Sequence, residues 1–347
     1  MTTLAPLTQR RSHSGDAWND RLLEAVERWP LPLWASLPLL YLATGALLHA
    51  IEWFLGPVPV GEFSPFIASL PAYPLGILAL IAAQNRVSTS ALARYRRATD
   101  LDDAAYEAVR HDLTHQPAMS AALLGFAFGA LGVVIEVTKE GNDDRLAQHP
   151  AAYVSMIIFS FAFYAFAGPW VVRTVRLLRQ VDRLHRRAVR IDLLDPDPLH
   201  ALSSVTSLVG FSFVAVTSFS MVTDPETHQT TAGLALTLIL LAFAVASFIL
   251  PLWGMHRRLQ TEKARLGGEV GRRIEITTAR LYAHVDEDRP GATEERDRLL
   301  ALVATRDLID NLGTWPWRPE TPRWLISALI IPLALWGLTR LLERTGL

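Results

Sequence analysis

The chain has 347 residues, half of them apolar and 19% charged, with 33 Lys or Arg against 34 Asp or Glu and a net charge of −1. Its apolar residues are gathered into runs of about 20, the length that crosses a hydrocarbon core of roughly 30 Å, which excludes an ordinary soluble globule. The absence of cysteine excludes disulfides, thiolate metal sites and thiol catalysis.

Residues 1–30 form an N-terminal cytoplasmic or interfacial segment. Asp16 is a helix N-cap candidate, and Trp18, Leu22, Val26 and Trp29 recur at helical spacing with Arg21, Glu24 and Arg28 opposite. That stripe fits a helix lying in the membrane interface, and equally one packed against the cytoplasmic part. Residues 31–175 hold the first four predicted spans, at about 33–55, 63–83, 118–137 and 153–175. Pro65, Pro71 and Pro74 are expected to kink or break the second, since each removes a backbone donor.

Beyond the fourth span, residues 176–198 read as a cytoplasmic helical extension. Leu177, Val181, Leu184, Ala188 and Ile191 keep a heptad-like seam, flanked by Arg176, Arg179, Arg183, Arg186, Arg187 and Arg190. Asp195-Pro196-Asp197-Pro198 ends it. Residues 199–253 give spans five and six. A second cytoplasmic helical segment covers 254–320, with Leu259, Leu266, Val270, Ile274, Thr277, Leu281 and Val285 on one face. Gly267, Gly268 and Gly271 weaken that helix, Pro290-Gly291 is a turn, and Thr293 is the expected N-cap of the next helix, which Gly313 suits as an end. Thr321-Pro322 opens span seven, within 321–347.

Orientation follows from the basic residues. The loops 56–62, 138–148 and 223–228 carry only Lys139 and Arg145, whereas the three other connecting segments carry five, seven and twelve Lys or Arg. Bases are kept on the cytoplasmic side, so the N-terminus is expected inside and, after seven spans, the C-terminus outside. The expected fold class is therefore all-α: a polytopic membrane protein of the cell membrane, with spans four and six prolonged as cytoplasmic helices.

This plan resembles the insect odorant and gustatory receptor channels, over the whole chain in topology though in no sequence motif. The resemblance implies a homo-oligomer, a tetramer by analogy, with the prolonged helices as an anchor between subunits and the last span lining a cation pore. No residue carries over from that family. The phrases at 252–258 and 315–319 are similar to uncharacterised prokaryotic membrane proteins.

Several side-chain groups invite a functional reading, each beside a plainer one. Ser327, Ile331, Ala334 and Leu338 form the least bulky stripe of span seven and are the candidate pore lining. His49, Glu52 and Glu136 lie near the outer ends of spans one and three and, with Asp224 in an acidic outer loop, are candidates for a cation or proton site; snorkelling at headgroup level is the plainer reading. Acidic outer loops also arise simply from keeping bases inside. Glu107, His111 and His115 share a face if 104–115 is helical and could hold a divalent metal, although a solvated face is favoured. Ser203, Ser207, Gly210, Thr217 and Ser220 of span five favour close helix packing over a wet pathway. The Arg-rich extension favours lipid headgroups over nucleic acid, for which aromatic platforms are absent. No phosphate loop, hydrolase constellation or metalloprotease motif occurs, so no enzyme activity and no cofactor are expected. The function expected is an oligomeric cation channel. A membrane receptor or scaffold is the alternative, and a secondary transporter comes last.

Overall fold

The computed structural model describes residues 17–138, 146–186, 197–223, 231–287, 290–317 and 321–345. The described chain is all-helical: α1 (Trp18–Glu27), α2 (Leu33–Leu55), α3 (Pro65–Ser69), α4 (Ala72–Tyr95), α5 (Asp103–Thr114), α6 (Ala118–Val137), α7 (Pro150–Arg186), α8 (Asp197–Thr223), α9 (Thr231–Asp286), α10 (Ala292–Asp310) and α11 (Thr321–Thr345). Six helices among the described residues are long and apolar enough to cross a membrane. They are Leu33–Leu55, Pro65–Tyr95, Ala118–Val137, Pro150–Arg186, His200–Thr223 and Gly233–Asp286. The apolar stretch of α11, Ile326–Leu338, is shorter.

The prolines of the second span sit where a missing N–H costs least. Pro65 opens α3 behind Ser64, whose hydroxyl accepts from the Ile67 N–H at 3.4 Å. Pro71 precedes α4 and Pro74 falls in its first turn, so the expected break is a short gap between α3 and α4 rather than a kink.

The prolongation of spans four and six is a matter of helix length. α7 runs 37 residues and α9 runs 56 without interruption, about 55 and 84 Å at 1.5 Å per residue. Both exceed a roughly 30 Å core, so each must project well beyond it. Gly267, Gly268 and Gly271 do not interrupt α9. A Cβ at Gly271 would meet the Arg306 guanidinium of α10 at 3.4 Å, an ordinary contact.

The most extensive helix pair is α6 with α7. A side chain at Gly132 would overlap the Tyr164 ring, and one at Gly168 the Phe128 ring. Small residues let these two backbones come together where lipid supplies no hydrophobic drive. α8 is the most enclosed span and packs on α4, α7, α9 and α11. Its hydroxyls are mostly spent on its own carbonyls: Ser203 on His200, Ser207 and Thr206 on Ser203, Ser212 on Leu208. Ser203 and Thr217 of that face are buried.

Two details differ from the sequence expectation. α1 buries Asn19, Asp20, Leu23 and Val26, while Leu22 and Trp29 are largely exposed. A polar partner for Asp20, described below, turns the helix off its apolar stripe. α10 starts at Ala292 behind Gly291, whose φ of 112° is left-handed, so the N-cap is Gly291 and not Thr293. Asp16, Ala188, Ile191, Arg187 and Arg190 lie outside the described residues.

Candidate functional site

Of the outer candidates, His49 and Glu52 lie on α2 and Glu136 on α6. His49 is buried, and both ring nitrogens face the backbone: Nδ1 lies 2.9 Å from the Gly45 carbonyl, and Nε2 accepts from the Ser64 N–H at 3.3 Å. Both ring nitrogens are thereby engaged by backbone groups. The ring stacks on Phe63 at 5.2 Å and meets Trp53 edge-on, while the Trp53 indole donates to the Glu62 carbonyl at 2.8 Å. His49 thus clasps the loop that follows α2. Glu52 is buried and its carboxylate folds over Gly56, where any side chain would collide with it. Glu136 is buried on α6. α2 and α6 each pack on α7. Asp224 lies outside the described residues.

The metal candidates do not share one helical face, for a local reason. α5 ends at Thr114, and His115 has extended backbone with φ of −122° and ψ of 151°. The His111 and His115 rings stack at 4.4 Å, and Glu107 is held by Arg110 at 2.6 Å. Among the described residues no three His, Asp or Glu side chains are arranged to hold a metal ion.

What the fold does gather is a buried polar knot around Arg173 of α7. Its Nη1 donates to Asp20 of α1 at 2.6 Å, and its Nη2 donates to the Asn85 side chain of α4 and to the Thr114 carbonyl at the end of α5. The second carboxylate oxygen of Asp20 accepts from the Gln116 N–H at 3.0 Å. Both charged side chains are 5% exposed. Beside them the Trp18 indole donates to the Ala121 carbonyl at 3.3 Å and meets Phe166 edge-on at 4.7 Å. Four chain segments distant in sequence are therefore tied by one guanidinium whose planar fork reaches several acceptors at once. Residue-by-residue reading missed this. Arg173 stood as one of seven arginines, although it is the first ionisable group after the apolar run of span four, which is itself a signal.

A second junction lies along the projecting part of α7. Leu177, Val181 and Leu184 are buried in the cluster that holds Leu92 and Tyr95 of α4 and Met255 and Leu259 of α9. The described part of the seam is therefore packed within one chain. The Tyr95 hydroxyl donates to the Leu184 carbonyl at 3.0 Å, and Arg258 donates to the His185 carbonyl at 2.7 Å. His185 is 1% exposed, stands edge-on to Tyr95, and its Nδ1 lies 3.3 Å from the Pro251 carbonyl. Its Nε2 is buried with no hydrogen-bond partner. Burial pushes the imidazole down to about 4, against the opposing pull of the Pro251 carbonyl and Asp182.

The connection into α11 is fastened to α9. Lys263 donates to the Asp310 and Leu312 carbonyls at 2.7 and 2.9 Å, closing the end of α10. His256 lies 2.9 Å from the Thr314 carbonyl and stacks on Trp315, which stacks on Trp317, which stacks on Phe248. α11 then packs on α8, burying Ala328 and Pro332, with Ser327, Ile331, Ala334 and Leu338 exposed.

No protein-family model, no curated protein and no solved structure matches this chain.

Proposed function

We propose that this chain is the subunit of an oligomeric cation channel with seven spans, its N-terminus inside and C-terminus outside, and α11 at the pore. The observation that supports this reading is the one-sided seating of α11. It rests on α8 through Ala328 and Pro332, and the stripe Ser327, Ile331, Ala334 and Leu338 stays outward, toward whatever lies beyond the subunit. As a helix of 25 residues, α11 is about 38 Å long, enough to span even though its most apolar part is short. The α9–α10 hairpin would serve as the assembly domain and the fastened loop 311–317 as the coupling between hairpin and pore. Large apolar residues on the stripe would close the pore by dewetting.

Leu338→Ser should raise basal cation current in reconstituted bilayers, because a wetter constriction holds water more readily. Leu333→Ser, on a different exposed side of α11, should not. Equal effects of both changes would make α11 an anchor only. A cysteine placed at Thr345 in this cysteine-free chain should react with an impermeant thiol reagent from outside. Labelling only after permeabilisation would remove the seventh span. Exposed apolar residues on the projecting hairpin, Tyr282 and Val285 among them, favour a receptor or scaffold if no current is found.

A further inference from the structure

The α9–α10 hairpin carries two unlike faces at one level. On one flank a groove of about 410 Å³ is lined by Arg273, Ile276, Thr277, Arg280, Arg298 and Leu302 together with Ala301. On the opposite flank of α10, Asp297, Leu300, Val303 and Asp307 fall within one arc at 100° per residue. Ile276 is 54% exposed and Leu300 60%. Neither Arg280 nor Asp307 has an ion-pair partner among the described residues, while Asp297 has only the weak 3.3 Å contact with its neighbour Arg296. Lipid does not cover these faces. Ile276 lies 23 positions past Trp253 in an unbroken helix, about 35 Å beyond the membrane end of α9.

Levels along the hairpin follow from its own contacts. Gly271 lies against Arg306 and Gly291 against His284, so residues on the two helices stand level when their numbers sum to nearly the same value. Ile276 is then level with Leu300, Arg280 with Asp297, and Arg273 within a turn of Asp307. Arg280, the one groove base without an ion pair among the described residues, thus has an acid at its own height on the other flank, and Arg273, which pairs with Glu269 at 2.7 Å, has one within a turn.

We infer that the groove of one copy receives the outer face of α10 from a neighbouring copy, Leu300 against Ile276 with Arg280 to Asp297 and Arg273 to Asp307. Copies in one membrane are related by rotation about its normal, which keeps every residue at its height. Two unlike, level and complementary faces therefore make a head-to-tail contact that closes into a ring. An isologous dimer would instead need one face complementary to itself, and the groove face, with three arginines, is not. The inference rests on the oligomeric part of the proposed function and is independent of conduction.

The cysteine-free chain allows a direct test. Two differently tagged full-length chains, one I276C and one L300C, are coexpressed and mildly oxidised in native membranes. Disulfide-linked dimers should join unlike tags only, and the I276C/L300C double variant should give a ladder above dimer. R280E in the chain carrying I276C should lower the linked fraction about fivefold, and D297R in the L300C partner should restore it. Dimers joining like tags, or no cross-link, would overturn the head-to-tail contact, and conducting oligomers without cross-links would do so while leaving the pore reading intact. Cross-links in particles that pass no current would support the contact and remove the pore.

Discussion

Charge is used in opposite ways at the two ends of this molecule. Around Arg173 a few ionisable groups are buried, and its Nη1 and Nη2 donate to Asp20, Asn85 and Thr114 within the chain. Along the hairpin the ion pairs are local and exposed, Arg273 with Glu269 and Arg265 with Glu262, beside apolar residues that the subunit does not cover. The first pattern joins distant segments of one chain. The second pattern does little for the chain itself and leaves its faces open to another molecule. Buried groups with several partners thus mark what the subunit has already closed, and exposed apolar residues flanked by weakly paired charges mark what it has left open.

The largest effect is expected where the contrast is strongest. Arg173→Met removes one member of a pair whose side chains are 5% exposed, leaving the Asp20 carboxylate buried with only the Gln116 N–H beside it. A loss of about 3–5 kcal/mol is expected for an uncompensated buried charge. It would be read as a lower unfolding midpoint of the purified protein in detergent. Adding Asp20→Asn should recover a large part, since the orphaned charge and not the missing cation is the main cost. If the double variant were as unstable as the sum of both singles, the knot would be packing rather than paired charge.

The helices were legible in the sequence, and the knot was not. Runs of apolar residues fix membrane crossing by length alone, and the unbroken seam Leu177–Val181–Leu184 carries α7 past the membrane. Which arginine is buried depends on α1, α4 and the turn after α5 meeting at one point of α7, a convergence of residues far apart in sequence. The same convergence rotated α1, so that Asp20 faces inward in place of the apolar stripe through Leu22 and Trp29. Among the candidate site residues, the stripe on α11 is exposed as a group, whereas His49 is occupied by the backbone groups of Gly45 and Ser64. A histidine near a membrane surface reads from sequence as a ligand because its backbone partners depend on a loop geometry that the sequence does not display.

His185 gives the intermediate effect. Its pKa is lowered to about 4 in the folded protein against an ordinary 6.5, so the unfolded chain binds more protons between those values. Its contribution to stability is complete above pH 6.5 and is lost as the pH falls toward 4, amounting to about 3 kcal/mol. The charges facing it are Asp182 on its own helix and Arg258 on α9, with Tyr95 of α4 packed against the ring. Unfolding midpoints measured across this range should fall more steeply in the native protein than in His185→Gln, which cannot gain the proton. Parallel pH profiles would show that other groups govern acid sensitivity.

The smallest effect belongs to the hairpin, and it tests the other half of the contrast. Glu269 is 39% exposed and lies 2.7 Å from Arg273 and 3.7 Å from Arg265. Pairs of this kind, one turn apart on an exposed helix, are worth little because water screens them and both side chains must be held still. Glu269→Gln should therefore change stability by no more than about 0.5 kcal/mol, and that small change should fade further at high salt. On the proposed head-to-tail contact, the same substitution releases Arg273 toward Asp307 of a neighbouring copy, so oligomers should persist or tighten as the subunit is left untouched. A loss of stability comparable to that of Arg173→Met would mean that the hairpin is held from within. The exposed faces of α9 and α10 would then be a by-product of that internal order, with no role in holding copies together.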